Sequence, residues 1–292
     1  MTKTWSSKGW GAGVLLLLLG TANCAGTPAQ PGPGLAKEAV AANNAGYLSY
    51  ARGKLELAQD KFTKALQLNR LIDRRDGIAA NLNNLGAIAT EQGKWQEAKR
   101  SYQEALELNR ERQDTAEIIK SLNNLGTIEQ AQGNLPRAEQ LYAEALILAR
   151  QVPPGPLLAL SLTHQGDLAR AQKNLAEALD LYQQALKIDE AGKDPAGKAI
   201  RQERLGRVYL AQGDFTTAAT NFQAALQEFR RQEDMRGVID ALEGLTRLYL
   251  AMGDRSTAQD YGSRLYQLYE VLDKTAKAQE IKSLLSPKHE AK

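Results

Sequence analysis

Cysteine is almost missing from this chain of 292 residues, which has one Cys and two His. A single thiol allows no disulfide within the chain. With two imidazoles it also falls short of the ligands a structural zinc site or a Cys/His catalytic pair would need. A strong excess of one charge is lacking too: 37 basic residues stand against 34 acidic ones, a net +3. Lys3 and Lys8 fall in a segment expected to be removed, so the remainder carries 3 − 2 = +1, far from the basic excess that nucleic-acid binding demands. Glycines occur singly, and no Gly-x-Gly-x-x-Gly or Gly-Lys-Ser/Thr follows a strand-like run, so nucleotide use has no support. No cofactor and no metal is expected. Adjacent carboxylates such as Asp189-Glu190 read as solvated charges on polar helix faces, without the burial that tunes a carboxyl for acid catalysis, and no catalytic residue is assigned.

The N-terminus reads as an export address followed by a tether. Residues 1–23 combine Lys3 and Lys8, no acid, the apolar run Gly11 to Gly20, and small or polar Thr21, Ala22 and Asn23, the three-part layout of a cleaved secretory signal. The run is half the length a membrane-spanning helix requires. It resembles the signal peptide of bacterial lipoproteins, in which a cysteine just after the apolar region is acylated. Cys24 stands at that place, although Thr21 and Asn23 depart from the family's preferred residues. The resemblance implies a lipid anchor at Cys24. Ala25, where an Asp would retain the chain at the inner membrane, implies the outer membrane with the body facing the periplasm. Residues 24–36, rich in Pro and Gly, are expected to form an extended tether, and 287–292, with His289, a disordered tail.

Between these ends the chain repeats every 40 residues. Glycine recurs at Gly46, Gly86, Gly126, Gly166 and Gly206, with Thr246 sixth; a second series runs Gly53, Gly93, Gly133, Lys173, Gly213, Gly253. Alanine fills Ala58, Ala98, Ala138, Ala178, Ala218 and Ala258. An aromatic follows at Phe62, Tyr102, Tyr142, Tyr182 and Phe222, with Gly262 as the exception. Ala65, Ala105, Ala145, Ala185, Ala225 and Leu265 complete the pattern. Each unit reads as two amphipathic helices separated by a glycine that can take positive φ. One hairpin cannot bury its apolar sides; stacked hairpins can, and they leave an extended concave face.

The order Leu85-Gly86, Gly93, Ala98, Tyr102, Ala105 resembles the tetratricopeptide repeat, here in a 40-residue variety with an Asn-Asn-Leu-Gly opening at 83–86 and 123–126. The resemblance implies an all-α fold: a right-handed superhelical solenoid over 37–286, with about six hairpins near 37–72, 73–112, 113–152, 153–192, 193–232 and 233–272. A capping helix is expected in 273–286, where Ala278, Ile281 and Leu285 share a face. Pro153-Pro-Gly-Pro156 is expected to make a rigid joint between units three and four.

In this family the inner side of each first helix binds peptides, and the residue two before the repeat glycine commonly touches the ligand. Here those residues are Asn44, Asn84, Asn124, His164, Arg204 and Gly244, flanked by Lys120, Asp167, Arg207 and Arg247. Lys120, Asn124 and Arg204 resemble part of a carboxylate clamp, in which His164 replaces an Asn and Ile200 a Lys. Two readings of the asparagines stand open: contact with a peptide amide, or satisfaction of a neighbouring helix. The resemblances together imply a non-enzymatic interaction scaffold that binds envelope proteins or peptides in its groove. It is similar in organisation to lipoproteins that assist pilus-secretin assembly, outer-membrane barrel insertion or peptidoglycan-hydrolase docking. The alternative is a sensor whose superhelix responds to a peptide or small ligand.

Overall fold

A computed structural model describes residues 33–286. The expected signal segment, Cys24 and most of the tether lie outside the described residues, as does the tail with His289. The described residues form thirteen α-helices. They are α1 (Pro33–Ala51), α2 (Leu55–Leu71), α3 (Arg75–Glu91), α4 (Trp95–Glu111), α5 (Thr115–Ala131), α6 (Leu135–Arg150), α7 (Pro156–Ala171), α8 (Leu175–Gly192), α9 (Pro195–Gln212), α10 (Phe215–Arg231), α11 (Met235–Ala251), α12 (Arg255–Val271) and α13 (Thr275–Leu285). They pack as six sequential hairpins, α1 with α2 through α11 with α12, and α13 caps the last. No described helix is long and apolar enough to cross a membrane.

The first helix begins at Pro33, earlier than the expected boundary at 37. Proline at a first helical position lacks only an N–H that has no partner there, and its φ is already helical. The last residues assigned to the tether therefore belong to α1.

The helices end by one device. A residue with left-handed φ recurs every twenty positions, at Gly53, Asp73, Gly93, Gln113, Gly133, Lys173, Lys193, Gly213, Glu233, Gly253 and Asp273. At Gly93, for example, φ is 70°; Gly93 N donates to Thr90 O at 3.1 Å and Lys94 N to Ala89 O at 2.8 Å, so the reversal satisfies two carbonyls that the helix end would orphan. Proline occupies this place at 153, where its ring forbids positive φ. The chain there runs through an extended Gly155 (φ −177°) to Pro156, which opens α7. Apolar packing continues across the joint: Ala149 of α6 lies in one cluster with Leu157 and Leu158 of α7.

The core is a row of small residues receiving large ones. Ala58, Ala98, Ala138, Ala178, Ala218 and Ala258 are all fully buried. A Cβ added to Gly86 would lie 2.7 Å from the Tyr102 ring, at Gly126 2.4 Å from Tyr142, at Gly166 2.6 Å from Tyr182, and at Gly206 2.8 Å from Phe222. Each glycine is thus the seat of the aromatic on its partner helix. The sixth repeat breaks the rule for a local reason. A Cβ on Gly262 would meet Leu285 of α13 at 2.6 Å, so the missing aromatic leaves room for the capping helix. Buried Thr246, in the place of the repeat glycine, turns its hydroxyl back to Leu242 O at 2.7 Å.

Candidate functional site

The first helix of each hairpin buries two of its sides and offers a third. On α5 the offered residues are Lys120, Asn124 and Thr127, spaced by four and three, hence one face of a helix. The same places hold Leu160, His164 and Asp167 on α7, and Ile200, Arg204 and Arg207 on α9. Asn44 is exposed, whereas Asn84, Asn124, His164 and Arg204 are half-buried. Gly244 is buried, because the Phe222 ring fills its place: a Cβ there would lie 2.4 Å from Cε1. The row of expected contact residues therefore stops at the fifth repeat.

The asparagines divide between the two open readings. Asn84 donates from Nδ2 to Asn43 Oδ1 of the preceding repeat at 3.3 Å. One residue earlier in the repeat, Asn83 accepts from Ser121 Oγ at 3.2 Å and Asn123 donates to Ser161 Oγ at 3.1 Å. These amides tie each repeat to the next. Asn124 makes no side-chain hydrogen bond among the described residues.

The expected cations are all matched by carboxylates of the chain itself. Lys120 pairs with Glu117 at 2.6 Å. Arg204 places Nε 3.3 Å from Asp167 Oδ1 and donates from Nη1 to Glu203 Oε2 at 2.8 Å. Arg207 pairs with the same Glu203 and stands 3.9 Å from Asp240. Arg247 pairs with Glu243 at 2.9 Å and reaches Glu280 of α13 at 3.9 Å. A ladder of alternating charge, Asp167, Arg204, Glu203, Arg207 and Asp240, thus crosses the last three repeats. A clamp for a free carboxylate would compete with these carboxylates for Arg204.

His164 stacks on the Tyr142 ring, centroids 5.4 Å apart at 14°. Burial pushes its pKa down to about 4 against the pull of Asp167, so at neutral pH it is an uncharged amide-like group in a row of amides. Burial would raise the Asp167 carboxyl, but Arg204, His164, the Tyr182 hydroxyl and Arg170 outweigh it and hold the pKa below the usual range; the Tyr182 hydroxyl donates to Oδ1 at 2.7 Å. An open cleft of about 490 Å³ lies over this group, bordered by Thr127, Gln130, Tyr142, His164, Asp167 and Arg204. No hydroxyl or thiol is hydrogen-bonded to His164 among the described residues, and none of them form a group of three or more Asp, Glu, His or Cys fit to hold a metal.

One set of residues overturns an expectation and a second escapes the sequence: Asp189, expected as a solvated charge, is buried because a cation of the next helix pairs with it. Asp189 of α8 and Arg201 of α9 form a pair, Nε to Oδ2 3.2 Å, with side chains 1% and 6% exposed. A Cβ on Gly197 would lie 2.6 Å from Asp189, and the matching Gly77 and Gly237 sit against Asn69 and Phe229. That register, glycine at 77, 197 and 237, was present in the 40-residue period. The second set, Tyr50, Glu91 and Arg236, joins the first two repeats to the sixth and leaves no local signal at all.

A family model described as tetratricopeptide repeat matches residues 37–111, 117–191 and 199–270. Among curated proteins none is similar in sequence. The fold is similar to the crystal structure of a Rap protein complexed with competence and sporulation factor, at 14% identity and TM-score 0.64, over 85% of this chain and 76% of that one. It is similar to the apo form of RapI, at 14% identity and TM-score 0.62, over 82% of this chain and 85% of that one. It is also similar to the APC/C hetero-tetramer Cut9-Hcn1, at 15% identity and TM-score 0.59, where it covers 86% of this chain and 43% of the other. Identities this low speak for the fold alone.

Proposed function

The chain belongs to the tetratricopeptide repeat family, and on that premise we propose that it is a non-enzymatic interaction scaffold, lipid-anchored through Cys24 at the bacterial outer membrane, that holds envelope proteins or peptides in its concave groove. One observation carries the groove reading. Along the offered face, Asn44 is exposed and Asn124 is half-buried with no partner among the described residues, while Asn84, Lys120 and Arg204 are bonded within the chain and His164 is stacked on the Tyr142 ring. A primary amide donates and accepts at once, which suits a peptide bond whatever side chains flank it. The anchor reading rests on the apolar run, on Cys24 as the sole cysteine, and on the Pro/Gly-rich residues after it.

A second reading, a sensor for a peptide or small ligand, is favoured by the contact between the first two repeats and the sixth, which gives the superhelix something to break. The test is affinity capture from crosslinked, detergent-solubilised membranes, comparing the native chain with Asn44→Ala/Asn124→Ala. A defined envelope protein retained by the native chain and lost by the variant, at unchanged melting temperature, supports the scaffold. Equal retention places binding off the groove. Cys24→Ser is expected to leave the fold intact and release the protein from membranes; continued membrane association refutes the anchor.

A further inference from the structure

We propose that the groove is closed into a channel by a latch between the first two repeats and the sixth, so that a bound chain must enter by a free end unless the latch opens. The role as a gate rests on the groove reading above, whereas the closure stands on its own contacts.

Arg236 is the second residue of α11, Tyr50 lies at the end of α1, and Glu91 is the last residue of α3. The Arg236 guanidinium lies 4.7 Å from the centroid of the Tyr50 ring. It donates from Nη1 to the Tyr50 hydroxyl and pairs through Nη2 with the Glu91 carboxylate. The Tyr50 hydroxyl donates in turn to Glu91 Oε1 at 2.6 Å. Three side chains thus satisfy one another across 186 residues of sequence, whereas every other side-chain hydrogen bond among the described residues spans 41 residues or fewer.

A second contact beside the first is apolar. Leu272, in the turn between α12 and α13, lies over Gly53, where an added Cβ would come within 2.9 Å of its Cδ2. The polar and apolar contacts both join repeat one to repeat six, by different residues of each. The helix ends suit the charges: an anion, Glu91, faces the start of α11, and a cation, Arg236, faces the ends of α1 and α3.

The latch can open. Arg236 is 47% exposed, so its ion pair is accessible to salt and to competing charge. A solenoid whose other contacts join only neighbouring repeats can change pitch by small increments at each interface, and the latch is the one place where those increments sum to a contact made or lost.

The test measures access to the channel without any ligand. In the full chain carrying Cys24→Ser, Asn124→Cys supplies a single thiol on the inner face, which is reacted with N-ethylmaleimide and with a polyethylene-glycol maleimide. With the latch closed, the bulky reagent is expected to lag the small one; in Arg236→Glu, which sets a carboxylate against Glu91, the bulky reagent is expected to gain about tenfold relative to the small one. The swap Glu91→Arg/Arg236→Glu is expected to restore the lag. A ratio that is the same with and without Arg236→Glu, in a protein of native helical content, overturns the proposal. Should that variant lose helical content, Arg236→Gln serves in its place with the same two outcomes. If the capture experiment above fails while this contrast holds, the latch stands and the groove reading falls.

Discussion

In the first three repeats the polar places along the inner helices are filled by Asn43, Asn83, Asn84 and Asn123, bonded amide to amide or amide to serine. In the fifth and sixth the same places carry Glu203, Arg204 and Glu243, bonded as ion pairs, while the fourth, with Thr163 and His164, stands between. Helix starts divide less sharply, since Asp114 at the start of α5 accepts from Glu117 N while Gly155 and Asn174 make no side-chain cap bond, yet the two ends differ. Lys54, Arg74 and Lys94 cap α2, α3 and α4 without a side-chain hydrogen bond, whereas Asp194, Asp214, Asp234 and Asp254 each accept backbone N–H groups at the starts of α9 to α12. The apolar register does not divide: in repeats two to five alike the aromatic ring lies 2.4–2.8 Å from where a Cβ on the glycine would sit. Packing at that closeness admits one solution, while a polar place need only be satisfied, and amides or charges do so equally.

The largest break in this comparison is expected at Asp189 and its counterpart Asn109. Both are buried at the end of a second helix. Asp189→Ala leaves Arg201 charged and buried without its partner, and the expected loss is about 3 kcal/mol. Asn109→Ala removes a 3.5 Å contact with Ser121 and a 3.3 Å hydrogen bond accepted from Arg112 Nη1, an expected loss of about 1 kcal/mol. Denaturant unfolding of both variants reads the difference, and equal losses would erase the distinction between the two halves. The double variant Asp189→Ala/Arg201→Met is expected to regain most of the loss, because it removes the orphaned charge.

Acid should separate the halves next. His164 stands where repeats two and three have Asn84 and Asn124, and its pKa is lowered to about 4 from an ordinary 6.5. The unfolded chain therefore takes up a proton before the folded one as pH falls, so stability present above pH 6.5 is lost progressively down to pH 4. The loss from this group is at most about 3 kcal/mol. Asp167 adds to the loss only from about pH 5 downward: its pKa is lowered, so the unfolded carboxyl protonates first and the stabilisation fades as pH falls through and below the ordinary carboxylate range. His164→Asn, which restores the amide of the earlier repeats, is expected to flatten the melting temperature between pH 6.5 and pH 4. A slope unchanged in the variant would place the acid sensitivity elsewhere.

Much of this was legible in the residues, and what was not has a physical reason. The six hairpins and the Gly–aromatic seats follow from spacing, because a 40-residue period brings the same local pattern back in each unit, and the capping helix follows from the apolar face of Ala278, Ile281 and Leu285. The groove row was legible as a row, but the sequence could not say that Arg204 turns to Asp167 or that Asn84 turns to Asn43, since such choices depend on the angle between neighbouring repeats. Gly77, Gly197 and Gly237 were visible in the period, yet without the structure nothing linked them to Asn69, Asp189 and Phe229. The latch was beyond reach altogether: Tyr50, Glu91 and Arg236 meet only because the superhelical pitch brings distant repeats together, a sum over many small interface angles that no local pattern encodes.

The smallest expected effect tests whether the caps are interchangeable between the halves. Asp214 and Lys94 both precede a second helix with nearly the same backbone, φ −81° and ψ 78° against φ −83° and ψ 64°. Asp214 accepts from Thr217 N at 3.1 Å; Lys94 is exposed and has no acceptor to offer. Asp214→Ala is expected to cost about 1 kcal/mol, and Lys94→Asp to gain about 0.5 kcal/mol by supplying both the acceptor and an anion at the positive end of α4. Thermal melts resolve changes of this size in a chain of this length as shifts of about 2–4 °C per kcal/mol. If Lys94→Asp gains nothing while Asp214→Ala loses its full share, the starts of α4 and α10 differ in more than their cap residue, and the early repeats are held by their amides without regard to how their helices begin.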